Sequence, residues 1–152
     1  MTGFSRRSAL AVLALGATGA GLAFPAAAAS GQVFRSPSCT CCGAWIDHMA
    51  RAGYRLESVV SDDLVAVRRS LGAPDALDAC QTAIFSGFAI EGHVPASDVN
   101  SLLARRPTRA VGLAVPVMPL RSPGMETPND DREAYATLVI LPAGRTRTFA
   151  QL

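Results

Sequence analysis

Lysine is missing from the chain, and all 14 of its basic residues are Arg. That excludes Schiff-base chemistry and phosphate sites that depend on a lysine. The P-loop and dinucleotide glycine patterns are missing as well. Aromatic residues are few, at 6%, and no sign of charge prevails once the N-terminal segment is set aside. Arg6 and Arg7 account for two of the 14 basic residues, which leaves 12 Arg against 12 acidic residues. A neutral balance gives no electrostatic case for nucleic acid or for an anionic membrane. No internal repeat or heptad pattern is present. What the chain does have is 49% hydrophobic residues, much of it in the first 29 positions, and four Cys.

Residues 1–29 read as an export segment. Arg6-Arg7 form a charged start, and Ser8 to Phe24 form an apolar, Gly-interrupted run. Pro25 breaks the run before Ala26-Ala27-Ala28-Ala29, whose small side chains suit a signal peptidase, so cleavage is expected after Ala29. A membrane span would need about 20 apolar residues, and this run is short and Gly-rich. Ser5-Arg6-Arg7-Ser8-Ala9-Leu10 is similar to a twin-arginine export signal, except that Ala9 replaces a bulkier residue. The expected compartment is the periplasm, where thiols oxidise, with no membrane attachment after cleavage. Residues 30–152 are then one domain of ordinary size.

Along that domain, Gln32-Val33-Phe34-Arg35 reads as a strand, followed by the turn residues Ser36-Pro37-Ser38. A helix is expected from about Cys41 to Ala52, stopped by Gly53. Tyr54 to Val60 alternates as a strand, and Ser61 or Asp62 can cap a helix running to Leu71. Thr82 to Glu91 reads as a hairpin around Ser86-Gly87. Pro95 opens a helix to about Arg105, and a Pro-rich segment with Pro116, Pro119, Pro123 and Pro128 follows. Tyr135 to Leu141 and Arg145 to Phe149 close the chain as strands. This order predicts an α/β, thioredoxin-like sandwich, with a mixed central sheet flanked by helices.

Cys39-Thr40-Cys41-Cys42 nests a C-x-x-C, a C-x-C and a vicinal pair where a strand turns into a helix. Unpaired backbone N–H groups and the helix dipole favour thiolates there. Three thiolates at one helix end repel each other, and a bound cation relieves that repulsion. Soft thiolates select Cu(I) or Zn(II), and Cu(I) accepts only two or three sulfurs. The structural alternative is a plain disulfide, although a staple gains most from distant cysteines. Cys80, in Asp78-Ala79-Cys80-Gln81-Thr82, stands just before the hairpin. In a thioredoxin-like topology that loop faces the C-x-x-C turn, so Cys80 would complete a four-sulfur site. Otherwise it is a small buried hydrophobe.

Several motifs follow one another over about residues 32–141: Ser36-Pro37-Ser38-Cys39-Thr40-Cys41-Cys42, Trp45 with His48, and Cys80-Gln81-Thr82. Glu91-Gly92-His93-Val94-Pro95, Gly112-Leu113-Ala114-Val115-Pro116 and Ser122-Pro123-Gly124-Met125-Glu126 come after them. In these motifs and their order the chain resembles the CopG-type family of exported copper-resistance proteins, long described as a domain of unknown function. The resemblance implies a thioredoxin-like fold, a periplasmic setting and metal binding through the cysteine cluster, with copper as the metal. Gln81 stands where the family usually has His, and Val117 where it usually has Gly.

His48 follows Cys41 by two helical turns, about 10 Å, and reads as structural or as a support behind the ligands, not as a ligand itself. His93, in a strand-to-helix loop, is better placed as a ligand or proton donor, or else bonds the helix start. Met118 and Met125 in the Pro-rich loop offer thioethers, soft donors that form no disulfide, or simply loose packing. Two functions follow. One is a copper-binding protein holding Cu(I) on Cys39, Cys41, Cys42 and Cys80, with His93, Met118 and Met125 as further candidates. It would act in copper tolerance by sequestration, by handover to or from a periplasmic protein, or by copper redox conversion. The other is a thiol–disulfide oxidoreductase with Cys39 as nucleophile and Cys42 as resolving thiol. An iron–sulfur or structural zinc site fits poorly, because three of the four Cys crowd one tetrapeptide.

Overall fold

The computed structural model describes residues 29–129, 131 and 133–152, so the expected export segment lies outside the described residues apart from its last position. The described chain forms one mixed sheet of seven strands. They are β1 (Ser30–Arg35), β2 (Arg55–Val60), β3 (Gln81–Phe85), β4 (Phe88–Gly92), β5 (Gly112–Val115), β6 (Ala136–Ile140) and β7 (Thr146–Gln151). Their spatial order is β2-β1-β3-β4-β5-β6-β7. Strands β1 and β2 run parallel, β3 lies antiparallel to β1, and β3 and β4 form the expected hairpin. With helices α1 (Cys41–Arg51), α2 (Leu64–Ser70) and α3 (Ala96–Arg105), this is the thioredoxin-like sandwich that the element order predicts. Beyond it, β5 adds parallel to β4, and β6 and β7 continue antiparallel.

Two expectations need correction. The helix α2 is capped neither by Ser61 nor by Asp62: the Asp63 carboxylate accepts the Ala66 N–H at 2.8 Å. An Asp at this position satisfies one of the donors that every helix start leaves open. The stretch before Pro116 is also a strand, β5, where the sequence predicts only a Pro-rich segment. All four of its residues are buried, so it lacks the polar–apolar alternation that marks a half-exposed strand. Gly112 opens it because any side chain there would put a Cβ 1.7 Å from the Ala89 carbonyl oxygen.

The period-2 alternation of the strands sorts two faces. On one, Cys42, Trp45 and Met49 recur at helical spacing along α1 and are buried. Trp45 and Met49 meet Val99 and Leu102 of α3 over Val33, Ala83, Phe85, Ile90, Leu113 and Val115 of the sheet. On the other face, the smaller cluster is Ala73, Leu77, Ala89, Ala114 and Ile140. The Trp45 Nε1–H donates to the Val94 carbonyl at 2.9 Å, and the Ala96 N–H donates to His48 Nε2 at 3.1 Å. These two bonds tie α1 to the entry of α3. His48 is therefore structural, as its position on the helix predicts.

Candidate metal centre

Pairing of β1 with β3 brings the two cysteine segments together. Arg35 lies opposite Gln81 in register, and the Ser36 N–H donates to the Cys80 carbonyl at 3.1 Å. The turn after β1 and the residue before β3 are therefore neighbours, although 38 residues separate Cys42 from Cys80. The first turn of α1 carries the rest of the cluster. Thr40 gives that helix no side-chain cap, and the Cys42 N–H donates instead to Cys39 Sγ at 3.2 Å.

All four sulfurs lie within 4.8 Å of one another. Cys39 and Cys42 are joined as a disulfide, while Cys41 and Cys80 are free thiols. Cys80 Sγ stands 3.1 Å from Cys39 Sγ, 3.4 Å from Cys42 Sγ and 3.8 Å from Cys41 Sγ. Cys80 is thus part of the cluster and not an isolated core residue. Burial and the neighbouring Cys41 push its thiol up to about 12. In the disulfide state Cys41 is the one free thiol at the helix end, so the mutual repulsion expected of three thiolates is absent there.

A fifth sulfur joins them. Met118 Sδ lies 3.0 Å from Cys80 Sγ. Val117 and Met118 both take left-handed backbone conformations, with φ of 57° and 43°. For a β-branched residue such as Val117 this is a strained position, and it is the one where the resembling family usually has Gly. The rest of the loop packs on the same helix end. Gly124, at φ 89°, lies so close that a Cβ would sit 2.8 Å from the Trp45 backbone nitrogen and 3.2 Å from the Cys41 carbonyl oxygen. Met125 belongs to this loop through its backbone, donating to the Ser122 carbonyl and accepting from the Arg121 N–H.

His93 is not among the groups gathered within 4.8 Å. It is fully buried, and its ring faces the Pro123 carbonyl. Burial lowers its pKa to about 4, partly offset by the facing Pro123 carbonyl and the Glu126 carboxylate. The alternative that it bonds the helix start fails, because His48 occupies that place. Gln81 is also buried: its Nε2 donates to the Gly92 carbonyl at 3.2 Å, while its Oε1 has no partner among the described residues.

Sequence reasoning missed the support behind Cys80. Arg68 of α2 is buried, and its Nη2 donates to the Ala79 carbonyl at 3.1 Å and reaches Asp78 Oδ1 at 2.9 Å. Its Nε lies 3.1 Å from Glu91 Oε1 as an ion pair, and the Thr82 hydroxyl donates to Glu91 Oε2 at 2.8 Å. One guanidinium thus fixes both residues that precede Cys80. Burial raises the Glu91 carboxyl to about 7, against the opposing pull of Arg68. The available signal was weak: an Arg-Arg pair on a short helix reads as a solvated face.

The family model described as "Protein of unknown function, DUF411" matches residues 77–125. Two solved structures of copper resistance protein copG, its form 1 and form 2, are each 36% identical in sequence with a TM-score of 0.76. Each match covers 82% of this chain and 98% of the other. No curated protein matches the chain in sequence.

Proposed function

From the chain's membership of the family of copper resistance protein copG, we propose that it binds copper as Cu(I) on Cys39, Cys41, Cys42 and Cys80, in copper tolerance. The supporting observation is that two segments far apart in sequence converge until four sulfurs lie within 4.8 Å. A metal–sulfur bond of about 2.3 Å, the zinc–thiolate length, lets one ion bridge sulfurs up to about 4.6 Å apart, which covers the 3.1, 3.4 and 3.8 Å that separate Cys80 Sγ from Cys39, Cys42 and Cys41. Soft, polarisable donors with no carboxylate among them select Cu(I) over harder ions. Met118 adds a thioether that oxidation to a disulfide cannot remove. His93 is held in reserve: it is buried and kept neutral, with the Pro123 carbonyl facing one side of the ring, as a ligand imidazole that keeps its other nitrogen free for a metal would be. Met125 is a further candidate from the same loop. Export on residues 1–29, cleavage after Ala29, and exchange of copper with a periplasmic donor or acceptor complete the proposal. Among the described residues, no helix is long and apolar enough to cross a membrane.

The Cys39–Cys42 disulfide favours a second reading, as a thiol–disulfide oxidoreductase. The two join if the dithiol reduces copper: two thiols give up two electrons and two protons to close the disulfide, and two Cu(II) become two Cu(I).

Titrating the reduced, metal-free chain anaerobically with Cu(I) tests the proposal. Thiolate charge-transfer absorption should grow, and Zn(II) should not displace the copper. Changing Cys39, Cys41 and Cys42 to Ser should abolish binding with the fold retained, and unchanged binding would move the site elsewhere. Cys80→Ser should cost about 1–3 kcal/mol of Cu(I) affinity, the scale of leaving a buried partner unmatched. Intact mass of the exported protein tests cleavage, and retention of Met1 would refute it.

A further inference from the structure

The copper reading above treats four thiolates as one donor set, yet the disulfide withdraws two of them. What remains is not empty of donors. Cys41 and Cys80 stay free thiols with their sulfurs 3.8 Å apart, and Met118 Sδ sits 3.0 Å from Cys80 Sγ. We propose that the Cys39–Cys42 disulfide form keeps a separate Cu(I) site made of Cys41, Cys80 and Met118. Oxidation then lowers the chain's copper capacity without emptying it.

Three observations carry this. Each of the three sulfurs comes from a different element: the first turn of α1, the residue before β3 and the loop after β5. The disulfide occupies none of them. With metal–sulfur bonds of about 2.3 Å, one ion can bridge a pair of sulfurs 3.8 Å apart at an open angle, leaving room for a third donor. The left-handed pair at Val117 and Met118 turns the chain back so that the thioether lies against Cys80, a conformation that costs energy and is held by the packing of the loop on α1. Two thiolates and a thioether complete the coordination Cu(I) accepts. The step balances without redox change: Cu(I) displaces one proton from each thiol, and no electron moves.

The test uses the air-oxidised chain, with its Cys39–Cys42 bridge verified by peptide mapping, and Cu(I) presented anaerobically as its bathocuproine disulfonate complex. One Cu(I) per chain should transfer, and the two thiols that react with a disulfide reagent beforehand should be protected afterwards. Mapping should find the bridge still between Cys39 and Cys42. The C39S/C42S double variant should reproduce this site without any reductant. In the oxidised chain, Cys41→Ser and Cys80→Ser should abolish transfer. Met118→Leu should weaken binding at least about 10-fold there, and less in the reduced chain, where further thiolates compensate. No transfer to the oxidised chain, with normal transfer to the reduced chain, overturns this proposal and leaves the copper reading standing. Failure of both chains overturns both. Unchanged binding in Cys41→Ser or Met118→Leu, or a bridge moved onto Cys80, also overturns it.

Discussion

The two faces of the sheet use opposite physics. Behind α1 and α3 the contacts are mainly apolar, anchored by the fully buried Trp45, whose one polar atom reaches the Val94 carbonyl, with a buried bond from the Thr137 hydroxyl to Asp98. Behind α2 the apolar cluster is small, and the cysteine segment is held by a buried Arg68–Glu91 pair together with Thr82, Asp78 and Ala79. The apolar face positions the helix end that carries Cys41 and Cys42. The ionic face positions Cys80. A packed side chain fills space, but a guanidinium can grip a carbonyl and two carboxylates in set directions. In the turn before β3, Leu77 is the one large apolar side chain that is buried.

The difference can be broken from either side. Arg68→Met leaves the buried Glu91 with only the Thr82 hydroxyl, and should cost about 3–5 kcal/mol in urea denaturation above about pH 7, where the carboxyl is charged, and less below it. Adding Glu91→Leu should recover most of that loss, because an apolar pair can replace a buried ion pair. Failure of the double variant to recover would mean that Asp78 and Ala79 are the contacts that matter. Trp45→Ala should cost a similar ~3–5 kcal/mol, but no single partner substitution should rescue it.

A smaller effect sharpens the link between the helices of the apolar face. His48 must be unprotonated at Nε2 to accept the Ala96 N–H. Burial, and then the Arg51 charge, lower its pKa below 6.5, with Glu126 opposing. Between the lowered folded value and 6.5 the unfolded chain therefore takes up the proton more readily. The contribution of His48 to stability is complete above about pH 6.5 and is lost as pH falls through that window. His48→Gln keeps an acceptor that does not titrate, and should flatten the slope of stability against pH there. The smallest effect lies at the sulfur loop. Val117→Gly relieves a left-handed strain of roughly 1–2 kcal/mol and costs about 0.5–1 kcal/mol of backbone entropy. The variant should match or exceed the parent in stability by up to ~1.5 kcal/mol, in contrast to the loss a glycine brings within a strand.

The sequence made the thioredoxin-like core legible because its strands and helices carry clear periods and stop signals. It made the cysteine cluster legible because three nested spacings at a strand-to-helix turn have few other meanings. Cys80 could be tied to it only through topology, since nothing in Asp78-Ala79-Cys80 signals a partner 38 residues away. The strand β5 escaped because uniform burial erases alternation. Arg68 escaped because local pattern says nothing about a long-range ion pair, and a buried Arg contradicts its usual place on a surface. Met118 was legible as a soft donor but not as one in contact, because that depends on two left-handed residues, Val117 and Met118, which sequence gives no reason to expect.

The first turn of α1 is closed by sulfur where such turns ordinarily use an oxygen. Because Cys39 Sγ is what the Cys42 amide leans on, the hold on that proton depends on whether the sulfur is bonded to another sulfur, to hydrogen or to a metal. The backbone of the helix thus carries a record of events at the side chains. In a nuclear magnetic resonance spectrum, the chemical shift and solvent exchange of this single amide would register the state of the whole cluster, with no probe attached to any cysteine.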